Sequence, residues 1–478
     1  MAEFWGRASD MAALRRDLDE VRRSDQGRML AIRGRRQSGK SRLVTEFIES
    51  EGLPHLFTTA VKNAAPDMQL AAVMADLHQA TTPLPGIDAA FAAPATSWAD
   101  LFARLPLAFD GRDAVVVLDE FPWATETDKT LEGVLQREWD RTLERLPVLF
   151  ILVGSDMAMM ERLTEHDRPL YGRAAERIVR PLSPAGVAEA LGDRDPVDLL
   201  DAYLSTGGYP RLVTEAVRHR TTKGFVRAQL NDDSSPLIVV GQRVMATEFR
   251  DARSARTVLE AIGSVEVGHA TFSSAVSRLG GEEKTASTQV TRALEPLQEK
   301  RLVSIDVPVG VARGSRLRRY RITDSYLRFW FRFCSPEIAN IERGRADLAI
   351  DRFDRSFESW RGRAIEPVVH GAVSRLAVDP AGRFAGVEAV GSWWDRNGVH
   401  ELDVVTADRN GLVGWVGSVK WRARRPMTRS DASELARARA VVRRAEGAQT
   451  LAVCPAGADP DAGFDAVLTA GDVLDAYR

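Results

Sequence analysis

The chain has 478 residues, more than a single apolar core usually supports, which predicts two to four domains. At 44% hydrophobic and 28% charged residues it has the composition of a soluble globular protein. With a net charge of −2, any nucleic-acid or membrane surface has to be local. Cys334 and Cys454 sit in apolar runs at no metal or redox spacing and the seven histidines are scattered, which argues against a disulfide scaffold and a structural metal. No stretch approaches the ~18–20 apolar residues of a membrane span. The N-terminus has no apolar leader, so the expected compartment is the cytoplasm, with no membrane partner.

Met11, Leu14, Leu18 and Val21 fall at helical spacing, and residues 28–33 then read as a short buried strand. Gly34-Arg-Arg-Gln-Ser-Gly-Lys-Ser41 follows, and Leu43, Val44, Phe47 and Ile48 resume a helical pattern. The runs Ala114–Leu118 and Pro147–Val153 are apolar throughout, as parallel strands covered on both faces require. Residues 1–190 are therefore expected to form an α/β layer domain. Residues 195–235 read as helical, broken at Gly207-Gly-Tyr-Pro210. From about 250 to 325 the order is three helices (starting near Ala255, Phe272 and Thr285), then strands Leu302–Val309 and Leu317–Ile322, an order that suits a winged helix. A third α/β module is expected toward the end. It comprises a helical stretch including Phe357–Leu376, strands near Val387–Trp394, Glu401–Ala407 and Val413–Lys420, a helix at Ala432–Arg444 and a strand at Thr450–Cys454.

The pattern G-x-x-x-x-G-K-S between a strand and a helix allows backbone N–H groups to ring a phosphate, with the helix N-terminus adding its positive dipole end. The expected nucleotide loop comprises Gly34, Arg35, Arg36, Gln37, Ser38, Gly39, Lys40, Ser41 and the adjoining Arg42. Lys40 would face the β- and γ-phosphates, and Ser41 would offer a hydroxyl to Mg²⁺. Asp119 and Glu120 end the second apolar strand, Asp119 suited to the metal's water shell and Glu120 to polarising the attacking water. ATP and Mg²⁺ are the ligands this predicts. Ser155, in Leu152-Val-Gly-Ser-Asp156, is a candidate γ-phosphate sensor; a plain turn is the alternative.

Phe4-x-Gly6-Arg7, the phosphate loop, Leu118-Asp-Glu-Phe-Pro122, Leu152–Asp156, Leu170-Tyr-Gly-Arg173 and Gly207-Gly-Tyr-Pro210 occur in this order. Together they resemble the archaeal-type ATPase family, AAA-like proteins of the STAND group, over essentially the whole chain. The resemblance implies a P-loop ATPase core at 1–190, a helical lid at 191–245, a winged helix at 246–330 and, at 331–478, a restriction-endonuclease-like module related to PD-(D/E)XK nucleases. It also implies that Arg173 is an arginine finger and that Gly208 and Pro210 belong to a lid motif near the nucleotide. The alternatives are a surface arginine near Glu176 and a helix-breaking turn.

Arg313, Arg316, Arg318, Arg319 and Arg321 cluster at the wing and suit duplex DNA, because phosphate neutralisation dominates such binding. Arginines that keep a turn soluble, or that contact another domain, are the alternative. In the last module Glu366, Asp403 and Lys420 match the nuclease pattern, with Ser418 where a carboxylate belongs. Glu401 shares a strand face with Asp403. The site is read as vestigial, and cleavage is not expected. The expected function is an ATP-hydrolysing switch acting on DNA, a protein partner or a second copy. A non-hydrolysing nucleotide-gated protein and a metal-dependent nuclease are the alternatives.

Overall fold

The computed structural model describes residues 4–248, 252–264, 270–312 and 315–478. The chain divides into two compact units, Met1–Pro181 and Leu182–Arg478.

In the first unit five parallel strands, β1 (Arg28–Arg33), β2 (His55–Thr59), β3 (Ala114–Asp119), β4 (Val148–Gly154) and β5 (Ala174–Ile178), lie in the order β2-β3-β4-β1-β5. Side chains of a strand point alternately to opposite faces, so each continuous apolar run supplies two cores. Leu30, Ile32, Val115, Val117, Leu149 and Ile151 meet helices Ala8–Ser24 and Lys40–Glu51 on one face. Met29, Ala31, Val116, Leu118, Phe150 and Leu152 meet helices Trp98–Phe109 and Leu131–Arg141 on the other. Buried Asp17 ties the first helix to the sheet through Arg28 on β1 and Arg177 on β5, at 2.8 and 2.7 Å. Strands β2 and β5 were not anticipated: neither has more than two consecutive apolar residues, whereas β1, β3 and β4 have four or more.

The second unit begins with helices Pro184–Leu191, Pro196–Thr206, Pro210–Val217, Thr222–Leu230 and Pro236–Glu248. Gly208, at φ +72°, cannot be replaced without strain: a Cβ there would stand 2.0 Å from the Leu182 carbonyl. Tyr209 donates its hydroxyl to Asp324 at 2.7 Å, and Pro210 is the first residue of its helix. The Gly-Gly-Tyr-Pro motif is thus knitted into this unit's own interior.

Helices Ala252–Gly263, Phe272–Leu279 and Glu283–Glu299 precede an antiparallel pair, β6 (Val303–Asp306) and β7 (Arg319–Ile322), giving the expected three-helix, two-strand order. A mixed sheet then forms from β8 (Ala389–Trp394), β9 (Glu401–Ala407), β10 (Val413–Val419), β11 (Gln449–Val453) and β12 (Ala466–Leu468), ordered β12-β11-β10-β9-β8. Strand β12 and the closing helix Ala470–Asp475 were not read from the sequence. One apolar cluster runs through the whole unit, joining Tyr209 and Phe225 to Leu259 and Leu297, then to Phe333 and Phe357, and finally to Val404 and Leu451. The leading helices, the helix–hairpin segment and the C-terminal sheet therefore share a single core. Cys334 and Cys454 are both buried and unpaired. Among the described residues no helix is long and apolar enough to cross a membrane.

Candidate functional site

Parallel pairing of β1 with β4 and of β3 with β4 aligns the carboxyl ends of all three strands. That edge is where open α/β sheets place ligands, because loops and helix N-termini converge there. The phosphate loop leaves β1, Asp119 ends β3, and Ser155 follows β4.

The loop is held in a shape its sequence would not adopt freely. Gln37 has φ +64° and Gly39 φ +89°, the kind of left-handed backbone from which anion-binding loops are built. Gly34 admits no side chain, since a Cβ would lie 2.2 Å from the Val179 carbonyl and 3.0 Å from Ser38 Oγ. Lys40, almost fully buried, donates to the carbonyls of Gly34 at 2.9 Å and Arg35 at 3.1 Å. Ser38 Oγ and Gln37 Oε1 are buried without a partner. The open Ser38 hydroxyl, a donor beside the buried Lys40 ammonium, fits an anionic ligand.

Ser41 donates its hydroxyl to Asp119 Oδ2 at 2.8 Å. Burial holds the Asp119 carboxyl above the usual carboxylate range, and the Ser41 hydrogen bond opposes this only in part. A divalent cation held by Ser41 and Asp119 would supply the charge that burial withholds, so the chemistry of this hydroxyl–carboxylate pair fits Mg²⁺. Glu120 takes a left-handed conformation at φ +50°, and its Oε2 accepts from Ser155 Oγ at 2.8 Å and Ser155 N at 3.3 Å. The structure thus brings Lys40, Ser41, Asp119, Glu120 and Ser155 to one edge.

Other expected residues are engaged in contacts of their own. Arg36 stacks over the Trp123 ring at 5.4 Å, and Arg42 is exposed and pairs with Glu46 at 2.6 Å. Arg173 does not meet Glu176; it holds Asp140 through two hydrogen bonds, and Glu176 pairs with Arg33 at 2.8 Å. Pro210 belongs to the second unit.

Arg7 is a residue to which the sequence reading gave no role. It is buried, and its guanidinium donates to Ser38 O at 2.5 Å, to Arg180 O at 2.8 Å and to Asp10 at 2.9 Å. It therefore clamps the backbone of the phosphate loop. Its signal was present in Phe4-x-Gly6-Arg7, but the partner carbonyls are visible only once the chain is folded.

In the second unit Arg316 and Arg318 are exposed, whereas Arg313 lies outside the described residues. Arg319 is removed from the expected DNA surface: it pairs with Glu401 at 2.5 Å and lies over the Trp394 ring at 3.9 Å. Arg321 is likewise bound to Asp306 at 2.7 Å. Arg319 thereby ties the hairpin to the C-terminal sheet, while Arg321 bonds across the hairpin to its own partner strand. Glu401, which shares a strand face with Asp403, is occupied by Arg319.

Asp403 Oδ2 accepts from Val419 N at 2.7 Å and Ser418 Oγ at 3.1 Å, so the serine faces the acid across the β9–β10 pair. Burial, with Asp403 and Glu401 nearby, holds the Glu366 carboxyl well above its ordinary range, and burial also raises Asp403. Lys420 is half-buried beside them and favours the ionised Asp403. Among the described residues no three His, Cys, Asp or Glu side chains gather as a metal-binding group.

Residues 330–435 match DUF234, a family described as archaeal and bacterial proteins of unknown function. The match begins at Trp330, inside the apolar cluster of the second unit. Over 421 residues, 88% of each chain, the sequence is 23% identical to an uncharacterized protein of Methanocaldococcus jannaschii. Among solved structures it is similar to a Walker-type ATPase of Pyrococcus abyssi, at 17% identity and TM-score 0.49, covering 69% of this chain and 96% of that one. It is also similar to the ORC2 protein of Aeropyrum pernix in its ADPNP–ADP complexes, at 18% identity and TM-score 0.43, covering 74% and 96%.

Proposed function

We propose that this chain binds and hydrolyses ATP, and that the nucleotide state switches how its second unit engages DNA or a protein partner. The observation that carries the reading is the pair of hydrogen bonds at the carboxyl edge of the first sheet, Ser41 to Asp119 and Ser155 to Glu120, both at 2.8 Å. They set a hydroxyl–carboxylate pair suited to Mg²⁺ beside a carboxylate suited to orienting water.

In this reading the amides of the phosphate loop and Lys40 hold the phosphates. Lys40, now bonded to loop carbonyls, exchanges those partners for phosphate oxygens without leaving its burial site. Ser41 and Asp119 would hold Mg²⁺, which when bound neutralises phosphate charge. Glu120 accepts a proton from the attacking water, and Ser155 orients its carboxylate until then. The exposed Arg316 and Arg318 support a DNA-directed output.

Calorimetry and phosphate-release assays on the full chain test this. Lys40→Ala should lose ATP binding by at least about a hundredfold, as removal of a buried charge partner does. Glu120→Gln should retain binding and lose turnover by about the same factor. Unchanged ATP affinity in Lys40→Ala would sink the phosphate-loop assignment. Wild-type turnover in Glu120→Gln would move the base to another residue. A wild type that binds ATP without releasing phosphate would leave a nucleotide-gated, non-hydrolysing protein.

A further inference from the structure

Between Lys420 and Ala445 the chain carries nine lysines and arginines against two acids, Asp431 and Glu434. With a net charge of −2 overall, this short stretch runs strongly against the rest of the sequence. The concentration lies in the C-terminal sheet module, away from the wing residues to which the sequence directed attention.

The stretch leaves β10, forms helix Arg429–Arg439 and returns toward β11. The helix spends its apolar side on the sheet, where Leu435 and Ala438 pack with Val405 and Val416. Its opposite side presents Arg429, Ser433, Ala436 and Ala440 at intervals of four, three and four residues, with Arg437 beside them, all exposed. Small side chains between arginines let a rigid, regularly charged partner come close to the helix.

What the arginines do not touch is as informative. Arg422 faces Asp431 at 3.6 Å, Arg439 donates to Ala448 O at 2.8 Å, and Arg444 donates to Asn410 O. Arg424, Arg425, Arg429, Arg437 and Arg443 are exposed, and none of them has a carboxylate within ion-pair distance among the described residues. Other surface arginines of the same unit do have one: Arg218, Arg227 and Arg345 pair with Glu215, Asp354 and Asp347. Arg424 and Arg425 line a cavity with Asp195, Asp198 and Glu358, whereas Arg429, Arg437 and Arg443 lie on helix Arg429–Arg439 and just after it; these three like charges without ion-pair partners repel one another, a cost that an external polyanion removes.

We propose that the outer face of helix Arg429–Arg439, with Arg443 just beyond its end, binds the phosphodiester backbone of a nucleic-acid duplex without sequence preference. It, and not the wing, is the principal nucleic-acid contact of the second unit. This rests on the reading that the second unit engages nucleic acid, and it names the surface. Arginine suits the task because its planar fork grips phosphate oxygens in pairs. A lipid headgroup surface fits less well: the helix has no apolar face left to insert, and Val441 is the exposed large apolar residue of the stretch.

The test uses the full chain and labelled random-sequence duplexes of DNA and of RNA, titrated over a range of salt. The variant is Arg429→Gln/Arg437→Gln/Arg443→Gln, whose unpaired side chains can be exchanged without leaving a buried acid; its melting temperature should match wild type. Its affinity at low salt should fall at least about tenfold, and the slope of log K against log salt should flatten by about three, at roughly 0.9 for each phosphate no longer neutralised. Arg316→Gln/Arg318→Gln should change affinity less than about threefold. If wild type binds duplex and the helix variant binds it equally well, this assignment is wrong while a nucleic-acid output stands. If wild type binds no duplex in low salt, both fall, and ATP turnover measured without nucleic acid still judges the ATPase reading by itself. If the same substitutions abolish binding only to phosphatidylserine vesicles, the partner is a lipid surface and the proposal is overturned.

Discussion

Arg173 and Asp140 are joined by two parallel hydrogen bonds, Nε to Oδ1 at 2.7 Å and Nη2 to Oδ2 at 2.8 Å. The guanidinium holds the Asp140 carboxyl below its ordinary range. That contribution to stability is present above the unfolded carboxyl's pKa and is lost as pH falls through the lowered one. The pair is partly exposed, so solvent screening limits its coupling in a double-mutant cycle to about 0.5–1 kcal/mol. Arg173→Ala should lower phosphate release at least about tenfold while leaving ATP affinity within about threefold, as a contact made late in the reaction does. Asp140→Ala frees the guanidinium and should leave phosphate release at or above wild type. Equal losses of binding and rate in both variants would make the pair structural.

Arg7→Ala should weaken ATP binding about tenfold or more and lower stability by about 1.5–3 kcal/mol, because it leaves the Ser38 and Arg180 carbonyls without their charged donor. Arg7→Lys should rescue little, since a single ammonium cannot bridge both carbonyls. Thermal melts and calorimetry report the two effects separately. An Arg7→Ala protein with full ATP affinity would show that the loop keeps its shape unaided.

Asp201 and Arg361 form a buried ion pair at 2.8 Å, and Asp201 Oδ1 has no partner. Burial pushes the Asp201 carboxyl up to about 7, with Glu358 and Asp198 adding to the rise and Arg361 opposing it. A carboxyl raised in the folded state stabilises it fully below the unfolded value, and that stabilisation is lost as pH rises through about 7. The second unit should therefore be less stable at pH 8 than at pH 5, by up to about 3 kcal/mol, at 1.36 kcal/mol for each of the roughly two pH units between 5 and the raised value. Asp201→Asn should flatten the profile. A variant that keeps the wild-type pH dependence would assign it to another group.

Wild type should show no Mg²⁺- or Mn²⁺-dependent nicking of supercoiled DNA. Asp403 is committed to Ser418 and Val419, Glu401 is committed to Arg319, and Glu366 resists ionisation. Ser418→Glu places a second carboxylate beside Asp403 and should acquire Mn²⁺ binding detectable by calorimetry. Metal-dependent nicking by wild type that disappears in Asp403→Ala would establish a nuclease.

The parts that local sequence governs were legible. Strands β1, β3 and β4 announce themselves as unbroken apolar runs, and the phosphate loop is specified by glycines and a lysine within eight positions. Strand β5, Ala-Ala-Glu-Arg-Ile, pairs on one side only and carries two charges, so its period resembles a loop. The grip of Arg7 on Ser38 and of Arg173 on Asp140 spans 31 and 33 positions and depends on sheet order, which no spacing rule encodes. The arginines from 422 to 444 were countable from the start, but a near-neutral total concealed them.

The continuous apolar cluster of the second unit has a consequence for how such a chain can change over evolutionary time. Its sequence looks like three interchangeable cassettes, yet Phe225, Leu297, Phe333 and Leu451 answer to one another. Exchanging a wing or a C-terminal sheet with that of a distant cousin would expose half of a core. Innovation is therefore confined to what lies outside the cluster, above all to the charged skin of helix Arg429–Arg439, where a new specificity can be tried without renegotiating the interior.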